Sequence, residues 1–125
     1  MKAKVICICG STRFADLHSI MKWELEKAGK GKVICLMINY LPMWFAERKG
    51  WKGLHHFGEQ SGLKDMLDEL HLRKIDLADE IFVINKNGYI GDSTKAEIAY
   101  AINHGKPVRY LHTEAQHNEI TRHPL

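Results

Sequence analysis

The chain reads as an α/β protein, a three-layer sandwich on a parallel, flavodoxin- or Rossmann-like sheet of four or five strands. Three observations predict it. Short apolar runs such as Ile81-Phe82-Val83-Ile84 lack the polar alternation of a half-wetted strand, so they belong in a sheet buried on both faces. Stretches of helical periodicity separate those runs, and glycines punctuate the joints between them.

Lys4 to Cys9 (KVICIC) is the first strand and ends at Gly10. Gly10-Ser11-Thr12-Arg13-Phe14 is a tight turn into a helix that runs to about Ala28. Phe14, Leu17, Ile20 or Met21, and Leu25 recur along that helix at helical spacing, and Gly29 and Gly31 end it. Val33 to Met37 is the second strand. Residues 39–62 break the pattern, with aromatics at 44, 45 and 51 among Arg48, Lys49, Lys52, His55 and His56. The segment is long for a connection, which leaves open a lid, an interface arm, a short extra helix or a surface excursion. Apolar residues at 63, 66, 67, 70 and 77 mark an amphipathic helix from Leu63 to Ala78 that leads into the Ile81 strand. A glycine-bearing loop, Lys86 to Asp92, follows. Ser93 and Thr94 cap a helix with an apolar face of Ile98, Ala101 and Ile102 and with Gly105 as its stop. Val108 to Leu111 is the fourth strand, and His112 to Leu125 is a frayed or partner-docked tail. Right-handed crossovers allow the order 2-1-3-4, which sets the Gly10 turn beside the Asp92 loop at the switch point between strands 1 and 3.

The 125 residues suit a single domain over 1–125 with its own core. The net charge of +3 is of mixed sign and suits an anionic small molecule; it carries no nucleic-acid signature. Cysteines 7, 9 and 35 form no CxxC pair and read as buried, reduced thiols, which points to the cytoplasm. The N-terminus enters a strand directly, without a signal peptide. No apolar run approaches the roughly 18 to 20 residues of a membrane span, so no membrane partner is expected.

Three groups of residues carry candidate chemistry. Gly10-Ser11-Thr12-Arg13 offers backbone N–H groups at a helix N-terminus, two hydroxyls and a guanidinium, either a phosphate cradle or a capped turn with a surface arginine. Thr94-x-x-Glu97 is either a capping box or a carboxylate held ionised near a helix N-terminus and able to act as a nucleophile. Asp68, His71, Ile75 and Asp79 follow one helical stripe, so His71 is either a proton-transfer group or a satisfied, partly buried side chain. The other histidines lack ligand spacing: His55 and His56 are adjacent, and His112 and His117 lie five apart. Neither a metal nor a cofactor is expected.

With the GSTR turn, the AD-EIFVIN strand and the ST-x-x-E-x-x-YA-x-x-x-GKPV helix in this order, the chain resembles the nucleoside 2-deoxyribosyltransferase-like superfamily. That superfamily includes the 2′-deoxynucleoside 5′-phosphate N-hydrolases. The likeness covers most of the chain outside 39–62 and the tail. It implies a retaining double displacement at C1′ of a deoxyribose, with Glu97 attacking and holding a glycosyl ester until water or a second base completes the reaction. It also implies a 5′-phosphate grip by Gly10, Ser11, Thr12 and Arg13, with Phe14 beside them, closed by Ser93 and Thr94. Asp92 matches the family's loop carboxylate, one residue nearer the glutamate. Two positions depart from the family: Cys7 stands at its strand tyrosine and His71 at its helix aspartate, where a histidine could protonate the leaving base. The expected partner is a nucleoside or nucleotide, and by analogy the chain forms a homodimer. The alternatives are a catalytically inactive nucleotide-binding module of the same fold and, separately, a basic aromatic arm at 44–56 that binds a macromolecule.

Overall fold

A computed structural model of the chain describes residues 2–51 and 62–112. Four parallel strands, β1 (Lys4–Gly10), β2 (Val33–Leu36), β3 (Glu80–Ile84) and β4 (Val108–Tyr110), lie in the order β2-β1-β3-β4. This is the expected 2-1-3-4 sheet. Its central strand β1 pairs on both sides, Cys7 standing opposite Leu36 of β2 and Ile81 of β3. The helices are α1 (Ala15–Ala28), α2 (Met43–Arg48), α3 (Lys64–Leu77) and α4 (Asp92–Asn103), with 3-10 turns at Thr12–Phe14 and Lys86–Gly88.

Successive strand residues point to opposite faces, and β1 divides its apolar run between two cores. Ile6 and Ile8 join Leu17, Phe82 and Ile84 on the α1 side. Cys7 and Cys9 join Ile75, Ile81, Val83 and Ala101 on the side covered by α3 and α4. Helices on both faces make the three layers. β3, the only fully buried strand among the described residues, carries its one carboxylate, Glu80, at the rim, where Lys4 and Arg109 each reach it at 2.8 Å. Asn85, just beyond β3, exchanges two hydrogen bonds with the backbone of His112, donating at 3.1 Å and accepting at 2.9 Å.

Several expected details shift. The helix over 64–77 buries His71 and Ile75 rather than its apolar majority, while Leu63, Met66 (50% exposed), Leu70 and Leu77 (72%) face outward. Its phase follows from docking Ile75 and Ala78 against the β1 and β3 side chains of the second core. Asp79 has left the helix, since Ala78 is already extended, and its carboxylate accepts the Val5 N–H at 2.8 Å. Ile102 is 61% exposed, so of the expected apolar face only Ile98 and Ala101 pack inward, with Tyr100 beside them. Gly105 does end α4, in the left-handed region at φ 71°. The 39–62 segment begins with the short α2, in which Phe45 packs edge-on against Trp44 and Trp51. The rest of that arm with His55 and His56, and the tail beyond His112 with His117, lie outside the described residues. Among the described residues no helix is long and apolar enough to cross a membrane.

Candidate functional site

At the carboxyl ends of β1 and β3, where the sheet order reverses, lies a cavity of about 650 Å³. One wall is the turn after β1, Gly10 to Arg13. Glycine suits its start, because a Cβ on Gly10 would sit 3.0 Å from the Cβ of Ile84 and 3.2 Å from His18 Nε2 and would push those neighbours back by a few tenths of an ångström. Ser11 shapes the turn twice. Its hydroxyl accepts the Arg13 N–H at 3.2 Å, and its carbonyl accepts the N–H of Phe14 at 3.0 Å and of His18 Nε2 at 3.3 Å. The Arg13 guanidinium lies over the ring of Tyr89, 3.8 Å from its centroid. A planar cation on an aromatic face is oriented while its N–H edge stays free for an anion.

The facing wall is the start of α4, with Asp92, Ser93, Thr94 and Glu97. The helix starts earlier than expected: Gly91, extended at ψ 171°, is its N-cap and Asp92 its first residue. Ser93 and Thr94 therefore stand inside the first turn, Thr94 buried, and Thr94-x-x-Glu97 is no capping box. Glu97 turns inward to the cavity with its side chain 14% exposed.

The floor comes from α3 and β1. His71 Nε2 lies 3.8 Å from Glu97 Oε1, 3.6 Å from Cys7 Sγ and 3.4 Å from Cys9 Sγ. Its Nδ1 finds no partner among the described residues. Burial lifts the Glu97 carboxyl to about 7, while the His71 charge pulls it the other way. Burial also opposes a charge on His71, but the hydrogen bond to Cys7 and the charges of Glu97 and Cys7 outweigh it and raise its pKa. The two thiols part company. Cys7 is drawn down to about 5 by the hydrogen bond from Cys9, against burial and with help from His71, and Cys9 is driven well above its usual value by the same bond and by burial. The site thus joins a cationic turn to a nearly dry carboxylate backed by imidazole and thiols.

The chain matches no protein-family model and no curated protein.

Of the residues singled out in the sequence, Gly10, Ser11, Thr12, Arg13, His71, Asp92, Ser93, Thr94 and Glu97 all line this one space. Phe14 does not. It packs edge-on against Tyr89 at 6.0 Å and against the α1-side core, so it supports the arginine platform from behind. Asp68 lines the cavity from α3, as does Lys74, whose ammonium donates to the Met37 carbonyl at 2.7 Å and ties α3 to the end of β2. Sequence reasoning missed Lys74 and Tyr89. An aromatic inside a glycine loop was the available signal for the latter. It also missed a possible metal-ligand set, because histidine spacing along the chain was the criterion: the ligand atoms of Cys7, Cys9 and His71 lie within 4.8 Å of one another, brought together from a strand and a helix 62 residues apart.

Proposed function

We propose that the protein is an N-glycosidase or deoxyribosyltransferase acting on 2′-deoxynucleosides or their 5′-monophosphates, with Glu97 as a retaining nucleophile. The observation that carries this reading is a single cavity, open between two helix starts, that holds the Arg13 guanidinium on one wall and the Glu97 carboxylate on the other. Its volume of about 650 Å³ falls in the range of small-molecule sites. The 5′-phosphate would take the Arg13 guanidinium and the remaining backbone N–H groups of the Gly10–Arg13 turn, the Arg13 N–H being held by the Ser11 hydroxyl. Glu97 would attack C1′ as the C1′–N bond breaks, and the base departs with the bond's electron pair and a proton given by His71, which the attacking water or second base then restores. Water, or a second base, would then attack C1′ and release the carboxylate. His71, 3.8 Å from Glu97, favours the ionised carboxylate that attack requires. Asp92, exposed at the first position of α4, is the acceptor offered to the sugar hydroxyls.

The test is incubation with each 2′-deoxynucleotide and chromatography for free base. Base release is expected from the wild type, with a loss of about 1,000-fold or more in Glu97→Gln, the scale of losing a covalent catalyst. An unaltered rate in Glu97→Gln excludes it as nucleophile. A second reading, an inactive nucleotide-binding module, is favoured by Cys7 and His71 at the family's tyrosine and aspartate positions; it expects thermal stabilisation by nucleotides without base release.

Two attributes belong to the same proposal. Leu63, Met66, Leu70 and Leu77 form an outward apolar row on α3, which supports a homodimer through this helix. Cys7, Cys9 and Cys35 are free, buried thiols, which supports a reducing, cytoplasmic setting.

A further inference from the structure

We propose that Cys7, Cys9 and His71, with Glu97 as fourth ligand, form a binding site for a thiophilic divalent cation of the zinc class. Cys7 and Cys9 are two apart on β1, so both sulfurs project from one face of the sheet towards α3. His71 reaches down between them from that helix, with Nε2 at 3.6 and 3.4 Å from the two sulfurs. Tetrahedral zinc, with metal–sulfur bonds of about 2.3 Å and metal–nitrogen bonds of about 2.0 Å, requires a sulfur-to-nitrogen edge of about 3.6 Å. His71 Nε2 already stands at that spacing from both sulfurs, and all three donor atoms lie within 4.8 Å of one another. Glu97 Oε1, at 3.8 Å from Nε2, is slightly beyond the edge of about 3.3 Å for an oxygen ligand, a gap that a small side-chain rotation closes.

The donor set also selects the ion. Two thiolates and an imidazole favour zinc and its soft neighbours over magnesium and calcium, which take oxygen ligands. His71 and Glu97 line the cavity, so an ion has a path to the otherwise buried sulfurs. Because Glu97 serves one partner at a time, an ion held here removes it from any other role. The proposal rests on the ligand geometry and not on the glycosidase reading.

The experiment uses the full chain, reduced and freed of metal by a chelator, titrated with Co²⁺ as a spectroscopic probe and then with Zn²⁺. The expected result is a thiolate-to-cobalt charge-transfer band in the near ultraviolet that saturates at one ion per chain, is displaced by Zn²⁺, persists in Cys35→Ser and is lost in the Cys7→Ser/Cys9→Ser double variant. No band in the wild type, or a band that survives in the folded double variant, overturns the proposal. If circular dichroism shows the double variant unfolded, Glu97→Gln on the cavity wall replaces it. There the Zn²⁺ dissociation constant is expected to rise by roughly tenfold or more, and an unchanged constant overturns the proposal equally. The readout involves no nucleotide, so its failure and a failure of base release are separate results.

Discussion

Replacing His18 with glutamine probes the support beneath the Gly10–Arg13 turn. His18 is 0% exposed, its Nε2–H is given to the Ser11 carbonyl at 3.3 Å, and Nδ1 finds no partner among the described residues. Burial pushes its pKa from 6.5 down to about 4, with the bond to Ser11 opposing and the charge of His71, the titratable group facing it, adding to the fall. The folded pKa lies below the unfolded one, so the unfolded chain takes the proton first. The stability this neutral ring confers is whole above pH 6.5 and is lost as pH falls towards 4. That interval corresponds to about 3 kcal/mol. Glu97 acts in the opposite sense, since a folded pKa raised to about 7 makes folding favour its protonated form as the pH drops from 7 to 4.5. The two contributions oppose each other in the wild type, and the informative quantity is the difference between wild type and His18→Gln. Glutamine keeps a donor for Ser11 but does not titrate. Urea unfolding at a series of pH values is expected to show the wild type losing about 3 kcal/mol relative to the variant between pH 6.5 and 4. Curves that stay parallel across that interval refute the reasoning.

Three further perturbations reach other parts of the argument. Arg13→Ala should weaken binding of 2′-deoxynucleoside 5′-monophosphates by about 10- to 100-fold, the scale of a charged hydrogen bond, while leaving free nucleosides unaffected; calorimetric titration showing equal losses for both would assign Arg13 to propping Tyr89 alone. Ile75→Ala, at a fully buried position between α3 and the two β1 thiols, should cost about 2 to 5 kcal/mol in denaturant unfolding. A cost under about 1 kcal/mol would mean that the second core is not packed as described. Met66→Lys/Leu77→Lys should convert a dimer to a monomer in light scattering with an unchanged circular-dichroism spectrum, and a monomeric wild type would sink the dimer proposal.

What was legible in the sequence and what was not divides along physical lines. Strand β3 was plain because a run of four aliphatic and aromatic residues has no other comfortable environment. For β1 the same continuity hid something, since a strand buried on both faces shows no alternation and gives no sign of which neighbours Cys7 and Cys9 meet. Helix α3 misled in its phase: counting apolar side chains selected Met66, Leu70 and Leu77, yet docking Ile75 and Ala78 turned those three outward and carried His71 in. In α4 the local pattern at Thr94 and Glu97 favoured a capping box, and only the extended backbone of Gly91 placed the N-cap three residues before Thr94 and left Glu97 facing the cavity.

By itself, then, the sequence determined the main strands and helices and their parallel pairing, allowed the observed strand order, and marked the two turns that line the cavity, because these follow from local periodicity, glycine placement and the handedness of crossovers. The tertiary structure alone decided that Arg13 lies on Tyr89, that Glu97 has a histidine rather than solvent beside it, and that two strand thiols and a helix imidazole converge beneath it. Those juxtapositions depend on helix rotation and on packing across the sheet, which are settled by how whole faces fit together and leave no trace in the spacing of residues along the chain.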